Sequence, residues 1–296
     1  MRNRLRLLWR FITAPFRLIF WIVRTLLGWL GTLLGEIKGL FAEDPEDSDV
    51  VEALTKAVQD PGGLLDHLND LRKHLFRGLV VLAITTTISF AFAEDILDFL
   101  ARPVNGLDRL EAIGVTESVG VFMRVSLLTG FTAALPYIVL EMLLFAAPGL
   151  KRKERFTGLV AIPLITVLFL GGMAFAYFVV LGPALNFLLN FIFNTTPRPS
   201  EYYPFVTGMM FWFGIAFEFP LVIYVVVAMG LVRANVLLEQ SRLAVVIMAV
   251  LAAAITPTVD PINMLLVWGP LVGLYFLGVG LAFIAQRGRD RRLKAA

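Results

Sequence analysis

The sequence contains no cysteine. That absence removes disulfides, thiolate nucleophiles and cysteine-held metals together. Histidine occurs only twice, at His67 and His74 in one short stretch, and a zinc site built on that pair lacks further ligands. Charge is scarce too: 17% of residues are charged, against about 25% in soluble domains, while 58% are hydrophobic. A bilayer is the natural solvent for that ratio. No glycine-rich phosphate loop, Ser/His/Asp set or metal quartet stands out, so neither enzyme chemistry nor a cofactor is expected. An internal repeat, common in secondary transporters, is also missing.

What the chain has instead is long apolar runs. A helix needs about 20 apolar residues to cross about 30 Å of hydrocarbon. Leu75–Ala93, Val121–Ala147, Phe156–Leu181, Phe205–Val232 and Asn263–Ala285 meet or approach that length. Leu243–Ile255 is shorter and rises only about 20 Å as a helix. Six transmembrane helices is the simplest count, because a helix satisfies its own backbone groups in lipid. The expected fold is an all-α integral membrane protein, a concave single-domain bundle of six helices.

Lysine and arginine set the expected orientation. Of the 26, 22 fall before the first run or at its start (Arg77), in the loops at 147–156 and 233–242, or after Ala285. Three (Arg102, Arg109 and Arg198) fall on the other side, and Arg124 lies inside the second run as a headgroup anchor. Both termini are therefore expected to face the cytoplasm.

Residues 1–42 form an extension of a different kind. Arg10, Arg17, Arg24 and Lys38 share one heptad phase, with Phe11, Phe16, Phe20, Trp21 and Trp29 between them. A cationic stripe beside aromatics fits a helix lying in the interface of an anionic bilayer. The alternative is a seventh span through Leu18–Leu34, with Arg24 at its centre. A cleaved leader is not expected, since arginines break up its apolar core. Residues 43–62, which hold most of "AEDPEDSDVVE" and run into "DPGG", are expected to form an acidic flexible linker.

The membrane domain would then begin at Gly63, with "GLLDHLNDLRKHLFRG". Leu64, Leu68, Leu71 and Leu75 recur at helical spacing, and Asp66 and Asp70 share the side carrying Asn69 and Lys73. Two readings stand: solvated charges paired locally, Asp70 with Lys73 or His74, or an acidic group held at the membrane surface for a cationic ligand. Farther along, Glu218 falls near the middle of the fourth run, flanked by Gly214 and Pro220. A carboxyl there belongs in a protein interior or a wet cavity, and the proline frees a backbone carbonyl one turn earlier. Glu141 lies near the end of the second run, and either extends the acidic site inward or pairs with a base of the 151–155 loop.

Four stretches resemble one family, the TatC subunit of the twin-arginine protein translocase. "HLNDLRKHL" resembles its entry to the first span. "TESVGVFMRVSLLTGFTAALPYIVLEMLLFAAPGLKRKER" resembles its second span and first cytoplasmic loop. "FGIAFEFPLVI" and "ITPTVDPIN" resemble its fourth span and the turn before its last. The four occur in family order between Gly63 and Ala285.

The resemblance implies a receptor at the cytoplasmic face of a prokaryotic inner membrane. Its ligands would be twin-arginine signal peptides of folded precursors, whose export the proton gradient drives. Implied partners are TatA/TatB-type single-span subunits, the lipid bilayer and further copies within a larger complex, but no nucleic acid. Asp70 stands where the family usually shows glutamate, and Glu154 matches its second acid. Arg72 and Phe145 complete the implied peptide-binding set. Glu218 and Glu141 form an intramembrane polar site, the latter where glutamine is common. Pro103, Pro148, Pro220 and Asp260 mark implied turns. Glu154 lies among four bases in "LKRKERF", and a basic loop should repel a basic peptide; the expectation is that Glu154 projects toward Asp70 while those bases reach headgroups. The rival reading is a secondary transporter or ion-coupled channel built on Glu218.

Overall fold

The computed structural model describes residues 31, 35–36, 61–114, 116–150, 152–190, 197–256 and 261–295. The expected interfacial helix over 1–42, its seventh-span alternative, nearly all of the acidic linker over 43–62, and Asp260 lie outside the described residues.

Every regular element among the described residues is helical. Pro61 opens α1 (Pro61–Ser89), a position where its missing N–H costs nothing, so the helix starts two residues before Gly63. A 3-10 turn leads to α2 (Ala93–Ala101), and further 3-10 turns at Arg102–Val104 and Leu107–Arg109 reverse the chain. α3 (Glu117–Ala146) and α4 (Arg152–Phe175) flank the turn at Ala147–Gly149, which holds Pro148. α4 passes through a π-helical segment, Ala176–Val180, into α5 (Leu181–Asn190). Then come α6 (Pro199–Ala228), the short α7 (Ala234–Glu239), α8 (Ser241–Ile255) and α9 (Pro261–Ala295). The 233–242 segment, expected as a loop, thus contains a helix.

Five stretches are long and apolar enough to cross a membrane: His67–Val104, Glu117–Gly149, Glu154–Leu189, Pro199–Ala228 and Pro261–Arg289. The 15 residues of α8 rise only about 22 Å. Between 11% and 33% of each span's most apolar window is buried. Most of the apolar surface therefore faces outward and needs lipid as its solvent.

The chain divides into two compact units, residues 1–75 with 140–160, and residues 76–139 with 161–296. In the second unit, glycine sets the closest helix approaches, as expected where lipid supplies no hydrophobic drive between helices. A Cβ on Gly130 would stand 2.4 Å from Thr86 Oγ1, and one on Gly172 would stand 2.4 Å from the Phe213 carbonyl oxygen. Thr85 uses the first of these approaches to donate across helices to the Gly130 carbonyl at 2.8 Å. Pro220 does not break α6; the helix runs through it, and Gly278 of α9 packs against the Pro220 backbone.

Three tyrosines close the end of α2. Tyr203, Tyr177 and Tyr202 donate their hydroxyls to the carbonyls of Leu97 (3.0 Å), Phe99 (2.6 Å) and Leu100 (2.6 Å). A helix leaves its last four carbonyls without intrahelical donors; Leu100 is one of them, while the Phe99 carbonyl also accepts the Arg102 N–H and Leu97 lies one residue further in. Arg102 lies over the Phe99 ring, 5.1 Å from its centroid, with Pro103 exposed in the turn that follows. At the far end of α6, Gly230 takes a positive φ of 84°. Arg289 donates to the Val227 carbonyl there, and the Gln286 side chain accepts the Ala234 N–H that opens α7.

Candidate functional site

The first unit gathers most of the side chains expected to form a surface site. Seven residues separate His67 from His74 on α1, two turns that place both on one face. Glu141 and Phe145 are one turn apart on α3 and form the facing ladder. The His67 ring stacks on Phe145 with centroids 4.6 Å apart and planes 25° apart, while His74 meets the same ring edge-on at 6.2 Å. His74 Nδ1 lies 2.6 Å from Glu141 Oε2. Glu141 is 2% exposed, so its carboxyl depends on polar neighbours for the solvation that burial removes. The glutamate therefore pairs with a base of α1; neither expected arrangement named that partner.

Asp70 sits in a different environment. It is exposed, and Lys73 Nζ lies 2.8 Å from its Oδ1, an i,i+3 pair in which both side chains are more than half exposed. Of the two expected partners, Lys73 rather than His74 is taken. A pair held in water contributes little, and a better-matched cation can displace it. Arg72 is exposed beside it, and Phe145 is half-buried.

Glu154 is exposed in the first turn of α4, where the helix dipole favours a carboxylate. Arg155 is 6% exposed and donates Nε to the Leu150 carbonyl at 2.9 Å. This neighbour folds back onto the turn, whereas it had been expected to reach for headgroups. A Cβ on Gly158 would stand 2.5 Å from Leu143 Cδ1, which fixes how closely α4 returns along α3. Pro148 is exposed in the turn between them.

Glu218 belongs to the second unit. Its carboxyl lies against the backbone of Phe169, and its buried Oε1 has no hydrogen-bond partner among the described residues. One turn earlier on α6, a Cβ on Gly214 would stand 2.6 Å from the Phe169 ring. Pro220, buried, follows two residues later. The result is a polar group fixed in an apolar wall at a tight α4–α6 crossing. Arg124, expected as a headgroup anchor, donates Nε to Thr207 Oγ1 at 3.2 Å. No group of three or more metal-ligating side chains occurs among the described residues.

The family model described as "Sec-independent protein translocase protein (TatC)" matches residues 66–270. A Sec-independent protein translocase protein TatC of Koribacter versatilis is 32% identical over 241 residues, 78% of this chain and 89% of that protein. The namesake from Deinococcus radiodurans is 34% identical over 248 residues, covering 80% and 91%. A solved structure, "Crystal Structure of Twin Arginine Translocase Receptor- TatC", superposes with a TM-score of 0.65 at 32% identity. It covers 74% of this chain and 99% of its own.

Proposed function

The chain belongs to the TatC family of Sec-independent protein translocase proteins, and from that premise we propose that it is the receptor for twin-arginine signal peptides in a translocase of folded proteins. The observation that carries this reading is the state of Asp70: an exposed carboxylate whose ion pair is a loose surface contact with Lys73. Guanidinium is planar, permanently charged and able to fork onto a carboxylate through two hydrogen bonds, which an ammonium cannot do. An arriving arginine displaces Lys73 on those terms. Glu154 takes the second arginine, and the rings of His67 and Phe145 offer a flat face on which a guanidinium stacks. Arg72 borders the site and orients the peptide by repulsion.

The remaining parts follow from the charge distribution and the spans. Six helices cross the bilayer with both termini in the cytoplasm, as the 22-to-3 bias of lysine and arginine supports. The short α8 crosses where the bilayer thins or neighbours shield it. Glu218 contacts the inserted signal hairpin or the helix of a TatA/TatB-type single-span partner during the later, proton-gradient-driven step. The membrane is the prokaryotic inner membrane, and the chain works in several copies within a larger complex.

Crosslinking of a twin-arginine peptide to Asp70→Asn and Glu154→Gln tests the reading. Each variant is expected to lose roughly tenfold in peptide affinity, the loss of one charge-assisted contact. Unchanged binding in both ends it.

A further inference from the structure

In the second unit, two apolar cavities share one cation. The larger, of about 730 Å³, is walled by Leu82, Phe90, Met123, Leu127 and Phe131, and Arg124 is the only charged residue among the described ones that line it. The smaller, of about 590 Å³, is walled by Leu185, Leu188, Pro204 and Phe205, and includes Glu201. Arg124, Gly208 and Trp212 line both. Thr207 is 3% exposed, donates its hydroxyl to the Tyr203 carbonyl at 2.6 Å and receives Arg124 Nε at 3.2 Å. The guanidinium is thus held by one edge, while its two terminal nitrogens meet no partner among the described residues. That edge has the geometry for a bidentate contact with phosphate.

The depth is right for a headgroup. Glu117–Gly149 spans 33 residues, about 50 Å as a helix, so an upright, centred helix extends about 10 Å beyond 30 Å of hydrocarbon at each end. Arg124 lies seven residues from that start, about 10 Å along the axis, at the boundary between chains and headgroups. Glu201, in the first turn of α6, sits six residues nearer the helix start than Thr207, about 9 Å further out. From inside outward the site therefore presents the larger apolar trough, a cation, and then an anion in the wall of the smaller cavity, whose lining residues Glu201, Tyr202, Pro204 and Phe205 lie nearer the start of α6 than Thr207.

We propose that this is a binding site for one two-chain aminophospholipid. The phosphate sits on Arg124, the ammonium turns toward Glu201 in the smaller cavity, and an acyl chain runs inward along the larger. Charge order along the site selects the occupant: an aminophospholipid carries chains, anion and cation in the same sequence. The inference rests on Arg124 and Glu201 alone and is independent of the receptor reading.

Native mass spectrometry of the full chain, delipidated and then offered single lipids, tests it. The wild type is expected to retain one phosphatidylethanolamine, less phosphatidylglycerol and no matched-chain diacylglycerol; soluble glycerophosphoethanolamine should not compete. Arg124→Gln is expected to weaken retention roughly tenfold to a hundredfold, the range of a charged bidentate contact. Glu201→Gln should equalise the two phospholipids. Gly208→Leu provides a variant that leaves both charges in place, because a Cβ at Gly208 meets nothing within 4 Å and only the cavity is filled. It too should lose the lipid while melting like the wild type. Undiminished retention by Arg124→Gln or Gly208→Leu, or equal retention of the two phospholipids by the wild type, overturns the proposal.

Discussion

Glu141 and Glu218 are both glutamates in apolar helices, yet the chain treats them differently. Glu141 is nearly sealed from solvent and is met by His74 at 2.6 Å. Glu218 is less buried as a residue; its carboxyl lies against the Phe169 backbone, and its buried Oε1 has no hydrogen-bond partner among the described residues. A buried polar atom left unpaired costs free energy that folding alone gives no reason to retain. Glu141 therefore reads as part of the scaffold that holds α1 against α3 beneath the exposed Asp70. Glu218, on the function proposed above, takes its partner from another molecule.

Removing each carboxyl's role in turn breaks or sharpens that contrast. Glu218→Ala should have the largest effect on function: export of a folded twin-arginine substrate is expected to be lost, with peptide binding and melting temperature unchanged. Loss of peptide binding in that variant would instead merge the two sites. His74→Ala should have the largest effect on stability, about 3 kcal/mol, because it strips a partner from a buried carboxylate. Adding Glu141→Gln to that background is expected to recover most of the loss in a detergent melt; no recovery would mean the two residues are not coupled. Lys73→Ala should do least. The pair it breaks lies in water, so the melt is expected to be unchanged while peptide binding tightens slightly. A drop in affinity would place Lys73 inside the binding site.

Much of this was legible in the sequence, for a physical reason: a span announces itself by local composition. Five apolar runs became five long apolar helices, and the short run at 243–255 became the short helix α8. Asp70 and Glu154 stand in motifs that the resemblance singles out, and both are exposed. Contacts that depend on interhelical register were not legible. The Tyr177, Tyr202 and Tyr203 hydroxyls reach carbonyls 78 to 106 residues away, and His74 meets Glu141 across 67 residues. Nothing local distinguishes those tyrosines from interfacial ones. The π-helical segment at Ala176–Val180 lies within an unbroken apolar run, which hides the change of helical pitch. The resemblance implied a turn at Pro220, but packing against Gly278 accompanies a continuous helix instead.

On the proposed function, carboxylates at Asp70 and Glu154 recognise the fork of guanidinium rather than positive charge alone. Fluorescence anisotropy of a labelled signal peptide on the purified full-length chain, with its two arginines compared against two lysines, addresses it directly. Binding that falls at least about tenfold on the change to lysine, as loss of bidentate pairing requires, is the expected result. Equal affinity for the two peptides would contradict it.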